Sequence, residues 1–421
     1  MQKINESTRA LKECRLCGSL DLGHFLDFGE VSLGNNLQLT TQQAKEVDIY
    51  RLDVLRCQEC GHFQLGHAVA PELLYATNYT YLSGIGSSFV NHIAAYAQWI
   101  DDHCDLPAQA VVVDIGSNDG TCLKAFQSRG YTVCGVDPAS LAAGIARDNG
   151  IPTINSFFDR VAVQEIINSY GHADFVTSQN ALAHVDDLGA VFSNIYDLLK
   201  DGGFFAFEIG YFREVLRTGC FDTIYHEHLD YHHAGPLVRH LCACGFDLLN
   251  LSVNSIQGGS LRLLLKKTGK GKGVIAEQAQ NFLDAEKQSV LCDEEFISNW
   301  PRKIESSMQE LHNLLSEEAR CGARIVAYGA PTKATLLIKL AKLGAREIAF
   351  VVEDNPYKVG RFLPGSAIPI HLTSELTSFK PEVIILLAWN FADDIIAKLR
   401  GKFNTPVKVV IPLPDLRVIN L

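Results

Sequence analysis

The sequence predicts an α/β protein in three parts: an N-terminal zinc ribbon, a central Rossmann-like domain and a smaller C-terminal Rossmann-like α/β domain. Three observations carry this. Two C-x-x-C-G knuckles, Cys14 to Gly18 and Cys57 to Gly61, lie near the N-terminus. An apolar strand, Val111-Val112-Val113-Asp114-Ile115-Gly116, ends in a glycine turn and opens a run of alternating helices and strands. A second glycine turn, Tyr328-Gly329-Ala330-Pro331-Thr332-Lys333, opens another. The expected boundaries are 1–75, 76–270 and 271–421.

Composition narrows the function classes. The 421 residues include 37 basic and 48 acidic side chains, a net charge of −11. A nucleic-acid binder draws most of its affinity from neutralising phosphates, and an acidic surface repels them. No apolar run approaches the ~18 residues of a membrane span. The opening MQKINESTRALKEC has no apolar leader pattern, and Cys is sparse for a disulfide scaffold. The expectation is a cytoplasmic protein, with neither nucleic acid nor membrane as partner.

The knuckles come first in the chain. A two-residue gap lets both thiolates of a tight turn face one ion, and the following glycine lets the backbone curl so that amides point at sulfur. Cys14, Cys17, Cys57 and Cys60 together make a closed tetrahedral zinc site with no open position, hence a structural one. A segment this small has little core, so the metal supplies much of its folding energy.

The central domain continues from Gly116 through Ser117-Asn118-Asp119-Gly120 into a helix. A second strand, Tyr131 to Asp137, ends in an acid, and Ile151 to Asn155, Asp174 to Gln179 and Phe204 to Ile209 supply three more strands. The motif is D-x-G-x-x-x-G rather than the G-x-G-x-x-G that cradles a pyrophosphate, which disfavours an NAD-dependent dehydrogenase. S-adenosylmethionine has no phosphate. Its amino acid end needs backbone groups and an acid such as Asp114, and its ribose diol needs a carboxylate such as Asp137. The central domain is therefore expected to be a class I methyltransferase domain. Asp114, Gly116, Asn118, Gly120, Asp137 and Asn180 are its candidate cofactor residues.

Titratable groups concentrate after the last parallel strand, in Phe221-Asp222-Thr223-Ile224-Tyr225-His226-Glu227-His228-Leu229. Loops at the carboxyl ends of parallel strands are where ligands bind. His184 follows strand four at the same sheet edge, and Tyr79 and Tyr81 lie in the link before the sheet. Histidine suits proton transfer near neutrality, and a carboxylate can orient it.

Together these motifs resemble the bacterial sugar C-methyltransferases acting on nucleotide-linked 4-keto-deoxyhexoses. The resemblance rests on the two knuckles, Asp27-Phe28-Gly29-Glu30-Val31 with Leu33-Gly34-Asn35-Asn36, Gly116 to Gly120, Tyr225 to His228, Gly258-Gly259-Ser260-Leu261-Arg262, and Tyr328 to Lys333. It implies His228 as general base, with His184, Tyr79, Tyr225 and Glu227 around the sugar. It further implies a C-terminal domain that helps hold the sugar nucleotide, carried on dTDP or GDP, and a monomer. The family's loop reads Y-D-E-H, so His226 departs from it.

In the C-terminal part, Lys270 to Gly273 reads as a flexible link, followed by helical patterns to Arg320 and strands at Arg324 to Gly329, Glu347 to Glu353, Val383 to Ala388 and Val407 to Ile411. A glycine turn opening a helix with Lys333 in its first turn suits a phosphate. Thr332, Lys333, Asp354 and Lys358, with Tyr81, Ser260 and Arg262, are the candidate substrate contacts. The rival readings are an O- or N-methyltransferase of another small metabolite, and a zinc-ribbon binding protein.

Overall fold

A computed structural model describes residues 7–76, 81–269 and 273–421. The chain divides into two compact units. One takes the stretch ending at His24, Leu55–Arg213 and Glu227–Cys292; the other takes Phe25–Val54, Glu214–His226 and Asp293–Leu421. The chain passes from one to the other within the strands Leu22–Ser32 and Ile49–Cys57, and again at 213/214, 226/227 and 292/293.

The first unit is built on a seven-stranded sheet. Val111–Ile115 (β1) is apolar except for Asp114 and buried along nearly its whole length, as a central parallel strand must be. Thr132–Val136 (β2), Thr153–Ile154 (β3), Ala173–Gln179 (β4) and Leu199–Gly210 (β5) run parallel to it. The sequence showed these five. Two more, Phe246–Asn254 (β6) and Ser260–Lys267 (β7), pair antiparallel, with β7 against β5. The order is β3-β2-β1-β4-β5-β7-β6. Strand order reverses at β1, which places a ligand crevice at its carboxyl end beside β4. The helix Ser87–His103 buries Ile93, Tyr96, Ala97 and Ile100, spaced three and four apart, and these join a core with Leu123, Phe126 and Phe175.

The second unit carries a six-stranded sheet. Its strands are Ile325–Tyr328 (β8), Val351–Glu353 (β9), Ile370–Leu372 (β10), Val383–Leu386 (β11), Lys408–Ile411 (β12) and Arg417–Asn420 (β13). They lie in the order β10-β9-β8-β11-β12-β13, with only β13 antiparallel. The helix Glu294–Arg320 opens on Asp293, whose carboxylate accepts from the Phe296 amide. It buries Ile297, Trp300, Ile304, Met308, Leu311 and Leu315, a single apolar stripe. Among the described residues no helix is long and apolar enough to cross a membrane.

Candidate active site and metal centre

The four knuckle cysteines lie in the first unit, and their sulfurs fall within 4.8 Å of one another. Cys14 and Cys60 are 3.6 Å apart, as are Cys17 and Cys57. A tetrahedron of Zn–S bonds near 2.3 Å has edges of about 3.8 Å, so the set fits zinc. Gly18 and Gly61 both take positive φ, +74° and +83°, which turns each knuckle back on itself. The Cys60 amide points at the Cys57 sulfur, 3.4 Å away. The protein thus carries a structural zinc site built from thiolates alone.

The β1 turn is shaped for close approach. Gly116 sits at φ +71°, and a Cβ there would stand 2.4 Å from the Ala181 Cβ. Asp114 Oδ1, Ser117 Oγ and Asn180 Nδ2 are buried without a hydrogen-bond partner among the described residues. Asn180 holds a left-handed conformation at φ 56°, pinned by its amide to the Glu208 carbonyl. Burial and then the neighbouring Asp137 push the Asp114 carboxyl well up, against a contact from Cys122. A cationic ammonium beside it would offset that cost. Asp137 Oδ1 accepts from the Ala139 amide and Oδ2 from the Asn118 amide, both at 2.8 Å, so each oxygen keeps a lone pair for a hydroxyl. These orphaned groups and the glycine cradle suit S-adenosylmethionine. The Asn118 side chain also bonds the Tyr81 carbonyl and the Ser83 amide, at 3.0 and 2.9 Å. Gly120, at φ +80°, lies against Ile151 at the start of the next helix.

The two histidines of the expected site meet. The Leu229 amide bonds the Ala183 carbonyl at 2.7 Å, and the Leu65 amide bonds the Leu229 carbonyl at 2.9 Å. That pairing sets His184 beside His228, with ring centroids 4.8 Å apart and edge to face. Burial first, and then His228, hold the His184 imidazole well below its usual range, so it is neutral near pH 7. Tyr75 completes the group: its hydroxyl stands 3.0 Å from His184 Nδ1 and donates to the Glu227 carbonyl at 3.0 Å. The hydroxyl thus touches both histidine segments, and His184 also bonds the backbone at Glu227 and Asn180. Glu227 is buried and His228 half-buried. The sequence pointed to tyrosines in this linker but not to Tyr75; its place in the apolar run Leu73-Leu74-Tyr75 reads as core. Tyr79 lies outside the described residues. Tyr81 is 44% exposed.

Arg262 is directed elsewhere. Its Nε pairs with the fully buried Glu208 at 2.6 Å, and its guanidinium lies over Tyr96 and Trp99. His92 takes the other Glu208 oxygen at 2.6 Å. Ser260 is buried and donates to the Ile256 carbonyl.

The second unit holds the remaining candidates. Tyr225 is half-buried there. His226 is buried, with Nε2 3.1 Å from the Tyr50 carbonyl, and burial lowers it to about 4. Lys333 lies 3.5 Å from buried Asp222 and 3.9 Å from the centre of the Trp389 ring. Trp389 Nε1 donates to the same Asp222 oxygen at 2.5 Å. Burial raises the Asp222 carboxyl, with Lys333 opposing. Asp222 stands in the titratable segment Phe221 to Leu229, but nothing in the sequence pairs it with Lys333, and Trp389 carries no signal there. Thr332 packs by its carbonyl against Gly34, where a Cβ would stand 2.1 Å away, so the Leu33-Gly34-Asn35 motif serves the β8 turn. Asp354 accepts from Thr373, Tyr328 and Lys398. Lys358 donates to the Ala330 carbonyl at 2.8 Å.

Comparison with known proteins agrees with this layout. A family described as "C-methyltransferase C-terminal domain" matches residues 255–414, a "Methyltransferase domain" family matches 90–251, and a "zinc binding domain" family matches 14–75. The C-methyltransferase NovU of Streptomyces niveus is 30% identical over 417 residues, 99% of either chain. The ubiquinone biosynthesis O-methyltransferase of Acinetobacter baylyi is 28% identical over 108 residues, 25% of this chain and 45% of that protein.

Proposed function

We propose a specific reaction from one premise: this chain belongs to the bacterial S-adenosylmethionine-dependent C-methyltransferase family. The acceptor is C3 of a nucleotide-diphosphate-linked 4-keto-deoxyhexose, on dTDP or GDP, and the product is a branched-chain deoxysugar. The meeting of His184 and His228 carries this reading, because a saturated carbon beside a ketone becomes a nucleophile when a base removes its proton.

A ketone at C4 acidifies the proton on C3. His228, half-buried and next to a neutral histidine, takes that proton. His184, held by Tyr75, orients the base rather than sharing its charge. The oxyanion that develops at C4 needs a donor, and a tyrosine hydroxyl supplies one in this reading. S-adenosylmethionine, when bound, supplies an electrophilic methyl group on a sulfonium. Asp114 and Asn180 would hold its amino acid end and Asp137 its ribose diol. Holding both reactants in contact supplies roughly 7 to 11 kcal/mol in well-oriented systems. In this reading 1–75 is the zinc ribbon, 76–270 the methyltransferase domain and 271–421 the sugar-nucleotide domain, acting as a monomer in the cytoplasm. Lys333 is the phosphate contact, supported by a cation held at a glycine turn within an acidic protein. A diphosphate there would share Lys333 with Asp222.

The test is incubation with S-adenosylmethionine and a panel of 4-keto sugar nucleotides, followed by mass spectrometry. One product should be heavier by one methylene. With the demethylated product in place of the donor, the C3 proton should exchange with deuterated water. His228→Asn should abolish both while leaving S-adenosylmethionine affinity intact. Methylation at oxygen or nitrogen, without exchange, would reject the enolate chemistry.

A further inference from the structure

The zinc ribbon holds something besides metal. Arg15 lies between the two cysteines of the first knuckle, and its side chain is only 7% exposed. Its Nε bonds both Asp230 oxygens at 3.0 Å. Its Nη1 donates to the Asp186 carbonyl at 2.8 Å and its Nη2 to the Val185 carbonyl. Asp230 stands two residues after His228; Val185 and Asp186 stand one and two residues after His184. One guanidinium therefore fastens both histidine segments. Arg15 itself is braced. Its amide donates to Gln64 Oε1 at 2.9 Å, and Gln64 Nε2 donates to the Glu13 carbonyl at 3.0 Å, so the backbone on both sides of Cys14 is tied to buried Gln64. Gln64 is also the antiparallel partner of Asp230. From the second knuckle, His62 Nε2 reaches Asp230 Oδ1 at 2.8 Å.

We propose that Arg15 is a positioning residue, through which the thiolate-bound knuckle sets the separation of the His184 and His228 rings. This rests on the reading of those histidines as the reacting pair only in its consequence for turnover, not in the link itself. A metal-fixed turn is a rigid anchor, because both of its thiolates bind an ion that the other knuckle also holds. A planar fork with several donors can grip a carboxylate and two carbonyls at once; an ammonium is a single point and cannot span them. Histidine placement matters because a misplacement of about 1 Å can cost on the order of a hundredfold in rate.

The test uses the zinc-loaded full chain with 15N-labelled histidine. The ring signals of His184 and His228 are assigned by the loss of each in its own Asn variant. Arg15→Lys, verified to hold one zinc and to bind S-adenosylmethionine normally, should move both ring signals and lower kcat about tenfold to a hundredfold with KM for the donor unchanged. Asp230→Asn removes the anchor on one side only, so it should move the His228 signal further than that of His184. This variant also serves if Arg15→Lys does not fold. Arg9→Gln removes an exposed pair to the Asp186 side chain and should move neither. Ring signals unmoved in Arg15→Lys, or His184 alone moved by Asp230→Asn, would overturn the clamp. Moved signals with full turnover would uphold the clamp and overturn the reaction assigned to the histidines. An inactive His228→Asn beside silent Arg15 variants would do the reverse.

Discussion

His226 is the position where the loop departs from its family, and its environment gives it a measurable signature. The imidazole is 3% exposed and 3.1 Å from the Tyr50 carbonyl. Burial takes its pKa from the ordinary 6.5 to about 4; the Tyr50 and Arg51 carbonyls oppose the shift and Lys339 adds to it. In the unfolded chain the ring gains a proton near pH 6.5; in the folded protein it resists until about pH 4. Acid therefore favours unfolding. The stability is fully present above pH 6.5 and is lost as pH falls towards 4. At 1.36 kcal/mol per pH unit the whole window is worth about 3 kcal/mol, of which about 2 falls between pH 7 and pH 5. The perturbation is His226→Gln, whose amide nitrogen can replace Nε2 against the Tyr50 carbonyl but does not titrate. Chemical denaturation at pH 7 and pH 5 should show the wild type losing about 2 kcal/mol more than the variant. Trp300 and Trp389, in the same unit, report the transition. Equal losses in both proteins, or a His226 ring that titrates near pH 6.5 by NMR, would refute the buried neutral imidazole.

Three other outcomes follow from the geometry. Gly116→Ala places a methyl 2.4 Å from the Ala181 Cβ and costs an L-residue about 1–2 kcal/mol at that φ, so calorimetry should show S-adenosylmethionine affinity reduced at least about tenfold. Tyr75→Phe removes the hydroxyl from His184 and the Glu227 carbonyl. Its kcat should fall while donor affinity holds, with about 1 kcal/mol lost in denaturation. Lys333→Met leaves Asp222 buried without its cation and should destabilise the second unit by about 3 kcal/mol. Adding Asp222→Asn should restore most of that, and additive losses in the double variant would show that the pair is not coupled.

Much of the site was legible because its signals are local. C-x-x-C-G constrains a turn whatever surrounds it. An apolar strand ending in Asp-x-Gly declares both its burial and its turn, and an acid at the end of the next strand follows by period. The antiparallel strands β6 and β7 are not legible in the sequence, because they depend on the β5 edge and on each other for partners. Arg262 was misleading for a related reason. A basic residue beside glycines looks like a ligand contact until Glu208, far away in sequence, is seen to take it.

By itself, then, the sequence determined the metal ligands, the parallel strands as they follow one another along the chain and the loops that carry titratable groups. All of these are set by spacing along the chain. Only the tertiary structure decided which groups meet. His184 and His228 are brought together by a backbone hydrogen bond between Leu229 and Ala183, Tyr75 joins them from a segment more than a hundred positions away, and Arg15 ties both to the knuckle. Asp222 neutralises the lysine that sequence alone presents as free. Long-range pairings of this kind leave no periodic trace. Each depends on a partner's burial, and burial is a property of the packed molecule rather than of either segment.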